Sequence, residues 1–445
     1  MVPPDGPPQC DVLFCGEAPG PTEDRTGRCF DGKTGKEYDN GYLPLAGLSR
    51  PRVYTTNAMK CLPGGNGKLD MKSPRDRAIV KGCAEFHLYR EIQQVDPKII
   101  ILMGAVANSL VPGIDLDTHH GIPFEWLVSN DIGSYEIFPM WHPAGGLYDH
   151  KKMLPLRTDF IRLKKHLAGN LYVPIDAYPN PDYVLVTDRK EIRSMDRRMP
   201  LAIDTETRRG GWPHCLTYSD APGRGRMIRI EDESLLMIFA DTIDQWEGPI
   251  LLHNALFDLD VLERMGVVIP RRLWVDTMMR AFHLQNQPQG LKVLSYRHLG
   301  MEMQDFDDLV SPHSAKLIIE YYRKMQALEW IRPEETLVRD PEGKLKLYRP
   351  QSLSTKLKRF FTDYSKNPYK DVFDMWRNNW EDHHEEVEQR LGERWPGKCI
   401  THAPFDEVLF YACRDADATL RLWPLFKAAA HRVRRRPEVE WMNTY

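Results

Sequence analysis

The chain has 445 residues, of which 42% are hydrophobic and 28% charged, with a formal net charge of −3. This composition is typical of a soluble globular protein with two or three domains. No apolar run approaches the length of a membrane span, and the N-terminus lacks the basic and then apolar pattern of a signal peptide, so we expect a cytoplasmic protein with no membrane partner. The net charge alone does not favour a nucleic-acid partner, but an average hides local basic patches.

The first 170 residues are predicted to alternate between strands and helices. Apolar runs at 12–15, 53–57, 98–104 and 137–140 predict four strands. Polar residues stand just after the C-terminal ends of these strands, which is where open α/β sheets collect ligand-binding groups. We therefore predict an open parallel sheet with a ligand site at that edge.

The loops after these strands carry several motifs in register. They are Gly16-Glu17-Ala18-Pro19-Gly20 with Glu23-Asp24, Gly27-Arg28-Cys29-Phe30 with Gly32 and Gly35, Thr56-Asn57-Ala58-Met59-Lys60-Cys61-Leu62-Pro63, and His142-Pro143. Together these segments resemble those of the family 4 uracil-DNA glycosylases over nearly the whole of residues 10–165.

The resemblance implies a role for four residues. Phe30 would stack on a flipped base, and Asn57 would hydrogen-bond the edge of uracil. Glu17 would lie in the activating loop, and His142 would stabilise the departing uracil anion. Each residue alone also fits a structural role, in the core, at a strand end or in a loop, and it is the joint motif that favours the uracil pocket.

Family 4 enzymes hold a four-iron four-sulfur cluster with four cysteines, and only part of that set is present. Cys61 and Cys83 match the downstream pair, whereas the upstream Cys-x-x-Cys is missing, because nine residues precede Cys10. Cys10 and Cys15 are expected to point to opposite faces of one extended segment and therefore not to share a cluster. We expect no intact iron–sulfur cluster, reduced thiols throughout, and a degenerate glycosylase domain kept for DNA binding or docking.

A proline-rich segment at 169–182 predicts a semi-rigid linker, since it has three prolines between positions 174 and 181 and no amphipathic period. We therefore divide the chain into residues 1–168 and residues 183–435. The second domain is predicted to open with an edge strand at 183–186.

An apolar run at 201–207 ends in two carboxylates two positions apart. If the run is a strand, alternation places Asp204 and Glu206 on the same face. Two like charges this close are unfavourable unless a cation neutralises them, so the pattern indicates a divalent metal site.

Two later segments add residues of the same kind. Asp258 follows Asn254 by four positions at a predicted helix start, and Tyr411 and Asp415 share a helix face through their i, i+4 spacing. The order Asp-x-Glu, Asn-x-x-x-Asp, Tyr-x-x-x-Asp resembles the 3′–5′ proofreading exonucleases of the DEDD superfamily, in the tyrosine-containing branch found in family A DNA polymerases. The resemblance implies a ribonuclease H-like exonuclease fold.

The same resemblance implies a metal-dependent nuclease that acts on single-stranded DNA 3′ ends. Two metal ions about 4 Å apart stabilise the attacking and leaving oxygens of phosphodiester hydrolysis, and oxygen ligands suit Mg²⁺ or Mn²⁺. Tyr411 would orient the attacking water. The residues implied to hold the two metals are Asp204, Glu206, Asp258 and Asp415.

Neighbouring residues have other expected roles. We interpret Asp276 and Asp417 as capping or helix-surface carboxylates rather than metal ligands. Leu256 and Phe257 either wedge against the terminal base or belong to the core.

Residues from about 302 to 400 form a charged insertion, longer than the usual connection in this family, with helices predicted at 314–327 and 367–391. Its segment 349–362 pairs charge with aromatic residues and is suited to tracking a DNA strand. A surface helical subdomain that contacts a partner protein is the alternative.

We therefore predict a two-domain α/β protein that removes nucleotides from DNA 3′ ends in proofreading or repair. Its polymerase would be a separate chain, and a bacterial or phage-infected host cell is the expected setting. The alternatives are an active uracil-excising repair enzyme with an associated exonuclease, and a non-catalytic accessory subunit of a split family A DNA polymerase.

Overall fold

The chain forms two compact units, Met1–Ile175 and Asp176–Tyr445. The computed structural model describes residues 1–64, 69–71, 73–148, 150–283, 289–327, 336–339, 345–348 and 398–434. The division between the units falls inside the proline-rich segment 169–182. Among the described residues, no helix combines the length and the apolar character required to cross a lipid bilayer.

The first unit is built on a five-stranded sheet with the order β2-β1-β3-β5-β4. Neighbouring strands are parallel, except that β4 runs antiparallel to β5. The four strands that the sequence predicts, at 12–15, 53–57, 98–104 and 137–140, are parallel neighbours. The edge strand β4 was not predicted, and a short polar turn joins it to β5 in a hairpin. The strands are β1 (Val12–Gly16), β2 (Tyr54–Asn57), β3 (Ile99–Met103), β4 (Phe124–Ser129) and β5 (Gly133–Met140).

Helices cover both faces of this sheet, and the alternation of side chains along the strands separates two cores. Along β1, Phe14 packs with Phe138 and Phe160 on one face, whereas Leu13 packs with Leu88 on the other. The helices are α1 (Pro21–Thr26), α2 (Lys33–Glu37), α3 (Pro74–Cys83), α4 (Tyr89–Val95), α5 (Gly104–Asn108), α6 (Leu116–His119), α7 (Pro143–Tyr148) and α8 (His150–Leu167).

The second unit has a six-stranded sheet with the order β11-β10-β7-β8-β9-β6. Strands β7, β8 and β9 are antiparallel neighbours, and β10 runs parallel to both β7 and β11. Strand β6 is parallel to β9 and lies at the edge, as its sequence predicts. The strands are β6 (Asp182–Leu185), β7 (Leu201–Arg208), β8 (Trp212–Ser219), β9 (Arg224–Arg229), β10 (Ile250–Leu252) and β11 (Trp274–Asp276).

A long C-terminal helix packs on β7, β8 and β9. It comes unusually close to β9 at Gly225, where a Cβ atom would lie 2.6 Å from Cys413 Cβ. The Thr217 hydroxyl also donates a hydrogen bond of 3.1 Å to the Ala412 carbonyl. The helices of this unit are α9 (Arg189–Arg193), α10 (Glu233–Asp244), α11 (Ala255–Arg264), α12 (Thr277–His283), α13 (Leu291–Leu299), α14 (Phe306–Ala327) and α15 (Phe405–Arg434).

The insertion differs in part from its prediction. Helix α14 begins eight positions before the predicted residue 314, and a hairpin that the sequence did not predict follows it, made of antiparallel β12 (Thr336–Arg339) and β13 (Leu345–Tyr348). The predicted helix at 367–391 and the segment 349–362 lie outside the described residues.

Asp417 is fully buried in α15, so its interpretation as a helix-surface or capping carboxylate is wrong. It accepts a hydrogen bond of 2.8 Å from the Tyr183 hydroxyl on β6 and one of 2.9 Å from the Gly223 N–H. Arg421, one turn further along α15, forms an ion pair with Asp176 at 2.7 Å. Asp417 thus joins the C-terminal helix to the edge of the sheet, through contacts that span more than 190 positions in sequence.

We expect Asp417→Ala to lower the free energy of unfolding of the second unit by about 2–4 kcal/mol, because it leaves two buried donors without their acceptor. Asp260→Ala removes an exposed i, i+4 ion pair with Arg264 and is the control, with an expected loss below about 1 kcal/mol. Urea unfolding followed by circular dichroism measures both values. Equal losses in the two variants would show that the Asp417 contacts do not stabilise the unit.

Candidate active sites

The structure brings three of the predicted carboxylates together at the edge of the second sheet. Along β7, Ile203 and Thr205 are buried, whereas Asp204 and Glu206 lie on the opposite, partly exposed face. Asp415 on α15 faces the same point, so that one carboxylate oxygen from each of the three residues lies within 4.8 Å of the others. Of the side chains that the structure describes, this is the one group of three or more potential metal ligands.

Asp258 lies beside this group, in the first turn of α11, and is 2% exposed. Thr205 donates its N–H at 3.0 Å and its hydroxyl at 2.7 Å, and both hydrogen bonds go to Asp258 Oδ1. The second oxygen, Oδ2, is therefore the one that Asp258 can offer to a cation.

The start of α11 is fixed by Asp276, which follows β11. Its carboxylate accepts the N–H of Asn254 at 3.3 Å and of Ala255 at 3.1 Å, and it also caps α12 through Met278 N–H at 2.8 Å. Asn254 itself has the left-handed φ of +71°. Asp276 thus caps two helices, as the sequence predicts, and positions Asp258 indirectly.

Burial raises the pKa of every carboxyl in the group. For Asp204 and Glu206 the charges of neighbouring carboxylates raise the pKa further. Burial raises the pKa of Asp258 and of Asp415 to about 7. Carboxyl groups with raised pKa values at such short separation form a site in which a divalent cation would compensate the negative charge.

Tyr411 lies one turn before Asp415 on α15 and is 8% exposed. Burial, and then the charges of Glu206 and Asp415, raise the pKa of its phenol. The hydroxyl is therefore protonated at any physiological pH and can donate a hydrogen bond beside the carboxylates.

The alternative that Leu256 and Phe257 belong to the core is wrong. They are 78% and 48% exposed, because they occupy the solvent side of the first turn of α11 while Asp258 faces inward. Two large apolar side chains therefore stand in solvent next to the buried carboxylate.

The four residues implied for a uracil pocket occupy the first unit. Phe30 has the left-handed φ of +57°, and its ring lies 5.6 Å from the His142 ring and 5.2 Å from the Tyr38 ring. Gly16 is required here, because a Cβ atom would lie 2.7 Å from Phe30 Cζ and 2.5 Å from Asn57 Oδ1. The structure thus brings Phe30, Asn57 and His142 together around the end of β1, with Phe30 also part of the core.

Asn57 ends β2 and is 4% exposed. Its Nδ2 donates a hydrogen bond of 3.2 Å to Cys29 Sγ, whereas its Oδ1 is buried and has no hydrogen-bond partner among the described residues. An unpaired buried carbonyl oxygen is unfavourable and uncommon. A ligand with a hydrogen-bond donor would satisfy it.

His142 and Glu17 both carry shifted pKa values. Burial lowers the pKa of His142 to about 4, so the ring is neutral. Its Nδ1 accepts the Ala144 N–H at 3.2 Å, which places the ring proton on Nε2 as a donor. Burial raises the pKa of Glu17, whose carbonyl accepts the Met59 N–H at 3.0 Å and so links the loops after β1 and β2.

Two organising contacts of this unit were missed by sequence reasoning. Glu23 accepts three backbone N–H groups, from Gly20, Asp31 and Gly32, at 2.9–3.1 Å, and thereby folds the loop that carries Phe30. Lys60 forms a buried ion pair of 2.7 Å with Glu91. Glu23 is the third residue of a helix that begins with proline, a sequence pattern that indicates capping of the helix start. The ion pair between Lys60 and Glu91 joins distant segments, so no local pattern indicates it.

The eight cysteines have different surroundings in the structure. All eight lie in the described part of the chain and are free thiols, with Cys61 exposed and Cys83 partly buried. Neither belongs to a group of three or more potential ligands among the described residues. The expectation that Cys10 and Cys15 face opposite sides is wrong, because Cys10 precedes β1, escapes its alternation and packs against the same core as Cys15.

The first unit is an α/β domain with a group of buried and partly buried side chains at the ends of its parallel strands, and comparison with known proteins defines its family. Residues 3–165 match the Uracil DNA glycosylase superfamily. The type-4 uracil-DNA glycosylase of Sulfurisphaera tokodaii is 30% identical over 170 residues, which cover 37% of this chain and 73% of that protein. The type-4 enzyme of Saccharolobus solfataricus is 32% identical over 173 residues, 38% of this chain and 76% of that protein. Through its first unit, the chain belongs to the uracil-DNA glycosylase superfamily.

The carboxylates of the second unit make its stability depend on pH when no divalent cation is bound. Burial raises the pKa of Asp415 from 3.8 to about 7, so between these values the folded state binds more protons than the unfolded state, and the free energy of unfolding falls as pH rises. We expect Asp415→Asn to be more stable than the wild type by about 1–3 kcal/mol at pH 8 in EDTA, with a much smaller difference at pH 5. Urea unfolding at both pH values measures the change, and a pH-independent difference would contradict it.

Proposed function

We propose that the second unit is a metal-dependent 3′–5′ exonuclease that shortens single-stranded DNA from its 3′ end, in proofreading or repair. The observation that carries this proposal is the group formed by Asp204, Glu206 and Asp415, with oxygens within 4.8 Å. Asp258 and Tyr411 flank that group. A surface that only bound DNA would have no need for buried carboxylates, which repel phosphate.

The arrangement of the sheet supports a ribonuclease H-like assignment. Three antiparallel strands, β7 to β9, are continued by the parallel strands β10 and β11. The carboxylates come from the middle strand of this sheet and from two helices that pack against it, α11 and α15.

We assign the four carboxylates to two Mg²⁺ or Mn²⁺ ions, with Asp258 contributing Oδ2. Oxygen donors alone are the set that these hard cations prefer. When bound, such a pair stabilises the charge on the attacking and leaving oxygens of the phosphodiester.

The protein's own groups have separate roles in this mechanism. The Tyr411 hydroxyl donates a hydrogen bond that orients the attacking water. Leu256 and Phe257, exposed at the first turn of α11, contact the terminal base and hold the 3′ end over the carboxylates. The proposed partner is a DNA polymerase on a separate chain, which delivers the 3′ end of the DNA strand to this site.

We expect Asp204→Ala and Asp258→Ala each to lower nuclease turnover by on the order of 10³-fold or more, because both remove a metal ligand. Asp258→Ala also leaves Thr205 without its acceptor, but relief of carboxylate repulsion offsets part of that loss of stability, so we expect both variants to stay folded. Asp260→Ala changes an exposed carboxylate on the same helix as Asp258 and is the matched control. A 5′-labelled single strand incubated with Mg²⁺ or Mn²⁺ gives the rates. Unchanged turnover in both variants would remove the metal-site assignment.

A second candidate function, uracil excision by the first unit, is favoured by one observation. Asn57 Oδ1 is buried near Phe30, and no residue in the described part of the chain gives it a hydrogen bond. The N3–H of uracil can donate a hydrogen bond to this oxygen. N3 of cytosine carries no hydrogen and is itself an acceptor, so it cannot. The neutral His142 ring, with its proton on Nε2, supplies a donor for the departing base.

The two candidates are separated by a 5′-labelled single strand with one internal uracil, incubated in EDTA and then treated with alkali. If the first unit excises uracil, the strand breaks at that position, and the break disappears with Asn57→Ala or when cytosine replaces uracil. If the domain is a degenerate glycosylase, the strand stays intact in EDTA and is shortened from its 3′ end only after Mg²⁺ or Mn²⁺ is restored.

A further inference from the structure

A lysine to which the sequence analysis assigned no role lies against the tyrosine of the candidate nuclease site. Lys292 occupies the first turn of α13, and its Nζ lies 3.5 Å from the Tyr411 hydroxyl oxygen. The same ammonium lies 4.9 Å from the centre of the Tyr411 ring. Helix α13 therefore delivers a positive charge to a site otherwise lined by carboxylates.

The ammonium is held in place by two other contacts. It donates a hydrogen bond of 2.5 Å to the Gln304 carbonyl and forms an ion pair of 3.4 Å with Asp305. An ammonium has three N–H donors and no acceptor. With two directed at residues 304 and 305, the third points to Tyr411.

The charge of Lys292 acts on the carboxylate group as well. Burial is the main reason that the pKa values of Asp204 and Asp415 are raised, and Lys292 opposes this in both. Its side chain is 28% exposed, so the ammonium is partly shielded from water and its charge is only partly screened.

The chemistry of this contact fixes the direction of the tyrosine hydrogen. Because an ammonium can only donate, the Tyr411 oxygen must accept from Lys292. The hydroxyl hydrogen then points away from Lys292. The charges that act on the phenol are those of Glu206, Asp415 and Asp204, followed by that of Asp305. Asp305 is already paired with the Lys292 ammonium, so the acceptors left for that hydrogen are on the side of the three carboxylates.

We propose that Lys292 is a positioning residue for phosphodiester hydrolysis, which turns the Tyr411 hydroxyl so that it donates to the attacking water. The inference rests on the proposed nuclease function. In that reaction the water oxygen bonds to phosphorus, the bond from phosphorus to the 3′ oxygen breaks, and one proton of the water ends on the departing 3′ oxygen. Lys292 acts through Tyr411 and takes no proton itself.

The test is a double-mutant cycle on a single-stranded oligonucleotide with Mg²⁺. We expect Lys292→Met to lower kcat about tenfold or more with KM changed less than about twofold, and Lys292→Arg to restore part of kcat. In the Tyr411→Phe background, Lys292→Met should cause a much smaller loss, because the hydroxyl is gone and only the effect of the ammonium charge on Asp204 and Asp415 is left. Lys316→Met on α14 changes an exposed lysine and is the control.

Two results would overturn the inference. An equal loss of kcat in the presence and absence of the Tyr411 hydroxyl would mean that Lys292 does not act through Tyr411. A rise in KM with kcat unchanged would mean that Lys292 binds the DNA backbone instead.

A second readout separates this inference from the nuclease proposal. In the protein with ¹³C-labelled tyrosine, in EDTA and without DNA, the Cζ resonance of Tyr411 should shift in Lys292→Met and return toward its original position in Lys292→Arg. An active nuclease whose Tyr411 resonance does not shift overturns the positioning role alone. If the resonance shifts in Lys292→Met but the wild type cuts no DNA with either metal, the nuclease proposal is overturned. The positioning role is then overturned as well, because it rests on that proposal.

Discussion

Electrostatic repulsion between closely spaced, partly buried carboxylates is the constraint around which the second unit is arranged. Asp204, Glu206 and Asp415 lie within 4.8 Å of one another, in surroundings that raise the pKa of each. The rest of the unit supplies the compensation. Thr205 fixes Asp258 with two hydrogen bonds, and Lys292 places an ammonium beside the group. The long helix α15 brings the last acid to the sheet through close packing on β9.

The candidate site of the first unit consists mainly of uncharged groups, in contrast to the carboxylates of the second unit. It contains a neutral histidine, an aromatic ring and a carboxamide, and one oxygen of the carboxamide has no hydrogen-bond partner among the described residues. Such a set of groups suits a neutral, flat ligand that can form hydrogen bonds, whereas the acidic group of the second unit suits cations. The two candidate sites of the chain thus differ in the kind of ligand that their side chains suit.

Sequence reasoning reached the parts of both sites that follow from local periodicity. The alternation around Asp204 and the helical spacing of Tyr411 and Asp415 are properties of neighbouring residues, and the structure places them on common faces as expected. The edge strand β4, the burial of Asp417 and the contact between Lys292 and Tyr411 were not predicted. Each of these features depends on contacts between segments that are distant in sequence, so no local pattern predicts it.

The alternation along β7 has a consequence for how this chain can change over time. Successive side chains of a strand face opposite sides, so the insertion or deletion of one residue before Asp204 would exchange its two faces. Ile203 and Thr205 would then lie on the face that now carries the carboxylates. Asp204 and Glu206 would enter the core cluster that contains Leu216 and Phe239. Point substitutions can therefore vary this strand gradually, whereas changes in its length are all-or-nothing events.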